Sequence, residues 1–180
     1  MADSEQRKRL FLALWPDDIT RTQLAAVQKQ FSKNERLQKA KPVPVENLHI
    51  TMHFLGAVTE EVHFTLQTLL DSVKVRACNL VIDRWGYFPR PKVLWLGAKS
   101  SPEPLTELVL RTESCIKQCI EGYEQNRFVP HITVFRKARH PVEADEFQPI
   151  DWRIDRFALV ASDTRPEGAV YTVLKEWMLS

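Results

Sequence analysis

Leu48-His49-Ile50-Thr51-Met52-His53-Phe54 decides how this chain is read. Successive side chains on a β-strand point to opposite faces. Read as a strand, the stretch shows Leu48, Ile50, Met52 and Phe54 on one face. His49, Thr51 and His53 occupy the other. Two imidazoles and a hydroxyl on one strand face are unusual unless something binds there. The phrase returns as Pro130-His131-Ile132-Thr133-Val134, 82 residues further on (131 − 49 = 82). The two His-x-Thr-x strands are expected to face each other across a cleft.

Outward from these strands, the two halves follow the same order. Arg9–Trp15 is a short apolar run that reads as a buried strand ended by Pro16. Asp17 and Asp18 offer a helix cap, and Ile19, Leu24, Val27 and Phe31 give a helical stripe. Pro42 and Pro44 stop any helix before the opening strand, which Gly56 is expected to close. Thr59 caps a second helix. Cys78–Phe88 alternates like one strand, and Val93–Gly97 reads as another buried strand. Pro102 and Pro104 open a helix to about Glu121, where Gly122 ends it. After the second motif, strands are expected at Trp152–Ser162 and Val170–Met178. Strand, helix and His-x-Thr-x strand thus occur at 9–54 and again at 93–135. That order, with no glycine-rich phosphate loop, predicts an internally duplicated α+β domain. Residues 1–8 read as a flexible leader and 9–180 as a single domain of two lobes.

The 180 residues are 44% apolar and 27% charged, the composition of an ordinary globular protein, and suffice to bury a core. No apolar run approaches the ~18–20 residues that cross a bilayer, and no signal-like segment opens the chain. A cytoplasmic protein follows. The net charge of +2 gives no global basic field, so any nucleic-acid contact must be local. Cys78, Cys115 and Cys119 are odd in number and contain no CxxC, so they are expected to be reduced and structural.

Two imidazoles in one site supply an acid and a base near neutral pH, because the unperturbed pKa is ~6.5. Each threonine hydroxyl can donate to an anionic oxygen, or accept from a ring N–H and fix a tautomer. Such a paired box suits a tetrahedral anion with a base on one side and an acid on the other. Metal binding is not expected. His49 and His53 are four apart, but zinc sites with that spacing use a helix and a glutamate that is absent here. On a strand they would stand about 13 Å apart. His53 is placed on the cleft rim, as a substrate contact or a solvated residue. His63 and His140 are placed on the surface.

The phrases Asn47–Gly56 and Arg127–Arg136 resemble the two signatures of the two-histidine (2H) phosphoesterases. Within that superfamily they look most like the bacterial RNA 2′,3′-cyclic phosphodiesterases, also called 2′-5′ RNA ligases. Arg9–Trp15, Val93–Gly97 and Tyr171–Trp177 extend the resemblance over nearly the whole chain. It implies a bilobal, pseudo-two-fold α+β fold, with two antiparallel sheets lining a central cleft and helices packed outside. It also implies metal-independent hydrolysis of terminal RNA 2′,3′-cyclic phosphates to 2′-phosphates, with no cofactor. By position, His49 would be the proton donor and His131 the proton acceptor. Thr51 and Thr133 would bind the phosphate oxygens, with Arg136 adding charge. Arg136 has the wrong strand parity to join His131 and Thr133, so a bulge or strand end must re-aim it. Arg127 adjoins Phe128, one residue closer than the family spacing, and is not assigned to the site.

RNA ends, or nucleotides bearing a 2′,3′-cyclic phosphate, are the expected partners of a monomer without membrane contact. Two surfaces are candidates for holding a single-stranded end: Lys33, Arg36, Lys39 and Lys41, and the mixed set Arg84, Trp85, Tyr87, Phe88, Arg90 and Lys92. The alternatives are reversible 2′-5′ ligation and a nucleotide- or RNA-binding module without turnover.

Overall fold

Strand β1 (Lys8–Leu14) is apolar on both sides because both of its faces are covered, with Leu10, Phe11, Leu12, Ala13 and Leu14 all buried. Pro16 ends it. The Asp17 carboxylate then accepts from the Thr20 amide (2.7 Å) and starts helix α1 (Asp18–Phe31). The same bond holds the Asp17 carboxyl below its ordinary pKa. A two-residue strand β2 (Lys41–Pro42) precedes β3 (Ile50–Val58), and Thr59 caps helix α2 (Glu60–Leu70) through the Val62 amide. Next come β4 (Cys78–Ile82), β5 (Arg84–Phe88), β6 (Val93–Gly97) and helix α3 (Glu103–Cys119), with a proline in its first turn. The chain closes with β7 (His131–Arg136), β8 (Ile150–Ile154), β9 (Arg156–Arg165) and β10 (Gly168–Met178). This computed structural model describes residues 7–139 and 146–180.

The expected α+β architecture is observed, with two antiparallel sheets. The larger has the order β10-β9-β1-β3-β7-β6-β5, with β2 paired to β7, and the smaller is β4-β8. The cleft is formed by the two halves of the larger sheet, which join at a single residue pair, Ile50 with Ile132. Leu10, Leu12 and Leu14 point from β1 into the main core, which takes in the apolar faces of α1, α2 and α3. Phe11 and Ala13 point the other way, against Ala158 and Val160, with Trp15 and Tyr171 alongside. The helices therefore cover one face of the sheet and leave the other to the cleft.

Three elements depart from the sequence reading. Cys78–Phe88 is two strands in different sheets, divided at Asp83, whose amide bonds to Gly97 and whose carboxylate takes the Lys99 amide. Trp152–Ser162 likewise divides at Asp155, with β8 pairing to β4 and β9 pairing to β1 and β10. Alternation reports a half-buried strand and cannot say when the chain changes sheets. Gly56 does not close β3. It sits inside the strand at φ +71°, where Leu55 is left without a partner in β1. A glycine tolerates that left-handed bulge position.

Candidate active site

Ile50 and Ile132, the pair that joins the two half-sheets, are the middle residues of the two His-x-Thr motifs. Both are fully buried on the helix side. Their neighbours along each strand must point the other way, into the cleft. Antiparallel pairing at this one point sets His49 across from Thr133 and Thr51 across from His131. The sums match (49 + 133 = 51 + 131 = 50 + 132), so a local two-fold axis passes through the isoleucine pair. All four polar side chains line a cavity of about 930 Å³, together with Arg136.

Each motif ends in a bulge at the same place. In β3, Thr51 pairs with Ala13 and His53 with Leu12, leaving Met52 as the extra residue. In β7, Thr133 pairs with Trp95 and Phe135 with Leu94, leaving Val134. Each extra residue reverses the strand parity. Met52 and His53 are consequently both buried, as are Val134 and Phe135. The next residues, Phe54 and Arg136, return to the cleft wall. Of the two devices expected to re-aim Arg136, a bulge or a strand end, the bulge is present, and Arg136 is also the last residue of β7.

The two imidazoles are oriented alike. His49 Nδ1 donates to the Asn47 carbonyl (2.6 Å), and His131 Nδ1 donates to the Val129 carbonyl (2.7 Å). A carbonyl only accepts, so each neutral ring keeps its lone pair on Nε2. For His49 that nitrogen accepts from the Thr51 hydroxyl at 2.9 Å. The packing around the rings differs. Trp15 stacks on His49 at 5.4 Å, with Phe11 at 5.1 Å and the edge of Tyr171 at 5.3 Å. His131 meets Phe88 edge-on at 5.2 Å and Trp95 at 6.1 Å. Burial lowers the His49 pKa to about 4; the Asn47 bond opposes this, while Arg136, His131 and Arg21 reinforce it.

At Arg136 the positive charge deepens. Lys41 lies directly across from it in the β2–β7 pair, and Lys137 follows it at φ +59°. All three line the cleft, and among the described residues none has an ion-pair partner. Like charges facing each other across a ladder are destabilising unless an anion joins them.

A family model described as the 2′-5′ RNA ligase superfamily matches residues 15–166. The chain belongs to the 2′-5′ RNA ligase superfamily. A protein named RNA 2′,3′-cyclic phosphodiesterase from Escherichia coli is 33% identical over 150 residues, covering 79% of this chain and 82% of the relative. One of the same name from Thermotoga maritima is 30% identical over 179 residues, covering 93% and 94%. The crystal structure of Escherichia coli LigT in apo form superposes with a TM-score of 0.83 at 30% identity, covering 97% of this chain and 99% of that one.

Within this member of the superfamily, several expectations need correction. His53 is not on the rim. Its Nε2 contacts the Val109 carbonyl (3.1 Å) and the Thr112 hydroxyl (2.9 Å), and Nδ1 contacts the Tyr123 hydroxyl (2.9 Å). The bulge at Met52 turned it through the sheet, onto the face opposite His49. Burial lowers its pKa to about 4 and pushes Tyr123 up to about 12. Phe54, grouped with Leu48, Ile50 and Met52 on one strand face, is 75% exposed in the cleft for the same reason. His63 is buried rather than superficial, bonded to Gln67 and stacked on Phe64. His140 lies outside the described residues. Arg127 lines a separate hollow with Glu113 and Phe128.

Of the two basic surfaces, only Lys41 and Phe88 line the cleft. Tyr87 donates to the Ala138 carbonyl, Trp85 packs against the core and Arg84 sits over the Trp95 ring. Sequence reasoning missed Phe11, Trp15 and Tyr171 around His49. Phe11 and Trp15 were legible only as members of an apolar strand. It also missed Arg21, which sits over Trp15 and donates to the Pro16, Val45 and Leu48 carbonyls, tying down the approach to His49.

The three cysteines are free. Among the described residues no helix is long and apolar enough to cross a membrane, and no group of three metal-ligating side chains converges.

Proposed function

We propose that the protein hydrolyses 2′,3′-cyclic phosphodiester ends of RNA to 2′-phosphomonoesters by paired-histidine acid–base catalysis without a metal. The observation that carries this reading is the Ile50–Ile132 pair, which turns two His–Thr pairs toward one point in the cleft. The names of the relatives agree with it. So does a structure of Escherichia coli LigT complexed with 3′-AMP, to which this chain superposes with a TM-score of 0.80 at 29% identity.

In the proposed step, His131 Nε2 takes a proton from water as its oxygen attacks phosphorus. The P–O3′ bond breaks in line, and His49 Nε2 delivers a proton to the departing O3′. The products are a 2′-phosphomonoester and a 3′-hydroxyl. The two rings then exchange their protons with solvent. Thr51, Thr133 and Arg136 hold the non-bridging oxygens, whose charge grows in the transition state.

His49 must carry a proton on Nε2 to act as the acid. Its low pKa comes first from burial, with Arg136, His131 and Arg21 lowering it further. A phosphate anion placed among Arg136, His131 and Thr51 opposes those influences, so substrate binding raises the His49 pKa. Arg136, Lys41 and Lys137 favour an RNA end over an uncharged partner. The protein acts, in this proposal, as a cytoplasmic monomer with one two-lobed domain over 9–180. With a 5′-hydroxyl in place of the water, the same step joins the 2′-phosphate to that hydroxyl as O3′ leaves, and this 2′-5′ ligation is reversible because a catalyst lowers the barrier in both directions.

The test is incubation with an oligoribonucleotide ending in a 2′,3′-cyclic phosphate. The expected product is the 2′-phosphate, formed equally in EDTA. Tight binding with no product would replace this reading with a binding module. Loss of activity in EDTA that zinc restores would overturn the metal-free mechanism.

A further inference from the structure

The Arg136 position depends on one extra residue in β7. That residue, Val134, interrupts the β6–β7 ladder and faces Val43 on the β2 side. The Val134 carbonyl takes two bonds, from the Val43 amide (2.9 Å) and from Gln28 Nε2 (2.8 Å). The same Gln28 nitrogen donates to the Val43 carbonyl at 2.8 Å. Gln28 lies on α1 and is only 7% exposed, among Leu24, Val27 and Phe31 on the helix face that packs on the sheet. An apolar residue would serve packing there, whereas a buried amide is costly unless bonded. Its two donors are spent on the bulge and on the segment that carries Lys41, the residue across from Arg136.

The other half uses the same device from an unrelated place. The Met52 carbonyl at the first bulge accepts from Gln125 Nε2 at 2.6 Å. Duplication does not explain this, because the 82-residue offset carries Gln28 onto Leu110 (28 + 82 = 110). Each bulge has acquired its own glutamine.

We infer that Gln28 is a positioning residue for the phosphate site: it fixes the Val134 bulge and so aims Arg136 into the cleft. This inference rests on the assignment of Arg136 to phosphate binding. Its test is a double-mutant cycle with Arg136→Ala, using Gln28→Met, which keeps the volume and removes the donors. Gln28→Asn, which keeps an amide and loses reach, serves as a second variant should the first fail to fold. KM for the cyclic-phosphate oligonucleotide is expected to rise ~10-fold with kcat changed less than ~3-fold, and the rise to fall below ~2-fold in the Arg136→Ala background. Gln125→Met, which loosens the bulge bearing Phe54, is expected to be additive with Arg136→Ala.

Two further readouts separate this inference from the proposed reaction. Hydrogen exchange of the Val43 amide should quicken at least ~10-fold in Gln28→Met while β9 and β10 keep their protection. Affinity for adenosine 2′-monophosphate, by calorimetry, should show the same non-additivity as KM. An equal penalty with and without Arg136, or unchanged Val43 exchange, would overturn the role of Gln28. A wild-type protein without turnover would count against the phosphodiesterase reading, leaving the exchange measurement to decide Gln28.

Discussion

Segments 49–54 and 131–136 match side chain for side chain through three residues and then part company. His49 and His131, Ile50 and Ile132, and Thr51 and Thr133 occupy equivalent places about the local axis, and a bulge follows each threonine. Beyond the bulges the first half places His53 inward and Phe54 in the cleft. The second places Phe135 inward and Arg136 in the cleft. The scaffold is thus symmetric where it carries the two His–Thr pairs and asymmetric where charge is placed. A symmetric anion site would have no direction, whereas opening a cyclic phosphate requires an entering and a leaving side. In the proposed reaction, Arg136, Lys41 and the unequal aromatic packing of the two imidazoles supply that difference.

The symmetric part is broken by removing either ring. His49→Ala and His131→Ala should each lower turnover by at least roughly 10² while the fold survives, because each removes one proton transfer. Circular dichroism with single-turnover assays checks this, and near-normal hydrolysis by either variant would end the paired assignment. The asymmetric part should break less severely. Arg136→Ala removes a charge-assisted contact of ~1.5–3 kcal/mol, or roughly 10- to 100-fold in kcat/KM. Phe54→Ala, in the equivalent place, removes no charge and should cost several-fold less. Equal penalties would erase the proposed direction of the site.

The inward places differ in their response to acid. His53 is held neutral by burial, with a pKa of about 4 against ~6.5 in the unfolded chain. Between those values the unfolded chain binds the additional proton, so stability falls as pH drops through the window and is recovered above it. One such group costs roughly 2 kcal/mol between pH 7 and pH 5. His53→Phe copies the residue type of Phe135 and should flatten the pH dependence of urea unfolding by about that amount. It should also cost some stability at pH 7, since the Tyr123 hydroxyl loses its partner. A slope as steep as the wild type's would place the acid sensitivity elsewhere, with His49 next in line.

Much of this was legible in the sequence, and the failures share a cause. The tetrapeptide repeat located both histidines and both threonines, because two residues apart is one strand face under any strand geometry. Beyond Thr51 and Thr133, the single extra residue reversed every assignment by parity. His53 and Phe54 exchanged faces, and Arg136 reached the cleft through the bulge. Period-2 reasoning is exact between bulges and blind across them. The aromatic wall of His49 was hidden for another reason. Phe11 and Trp15 sit in an apolar run buried on both faces, and such a run does not say which side meets a ligand. Gln28 carried no signal at all, being one polar residue on a helix whose partner lies 106 positions away.

The smallest expected effect concerns the length of substrate the charged end reads. Lys41 sits across from Arg136 and Lys137 follows it, so in the proposed complex the cations extend past the phosphate assigned to the two threonines. A mononucleotide has one phosphate and leaves that extension unused. An oligonucleotide end has a second phosphate to place there, and each lysine–phosphate contact adds to the salt dependence of binding. Lys41→Gln should therefore raise KM by roughly two- to threefold for a cyclic-ended oligonucleotide and lower its salt slope by ~0.7. It should leave a 2′,3′-cyclic mononucleotide nearly unaffected. The measurement is KM at several salt concentrations for the two substrates side by side. An equal loss on both would make Lys41 part of the reactive phosphate site and return the whole cluster to Arg136.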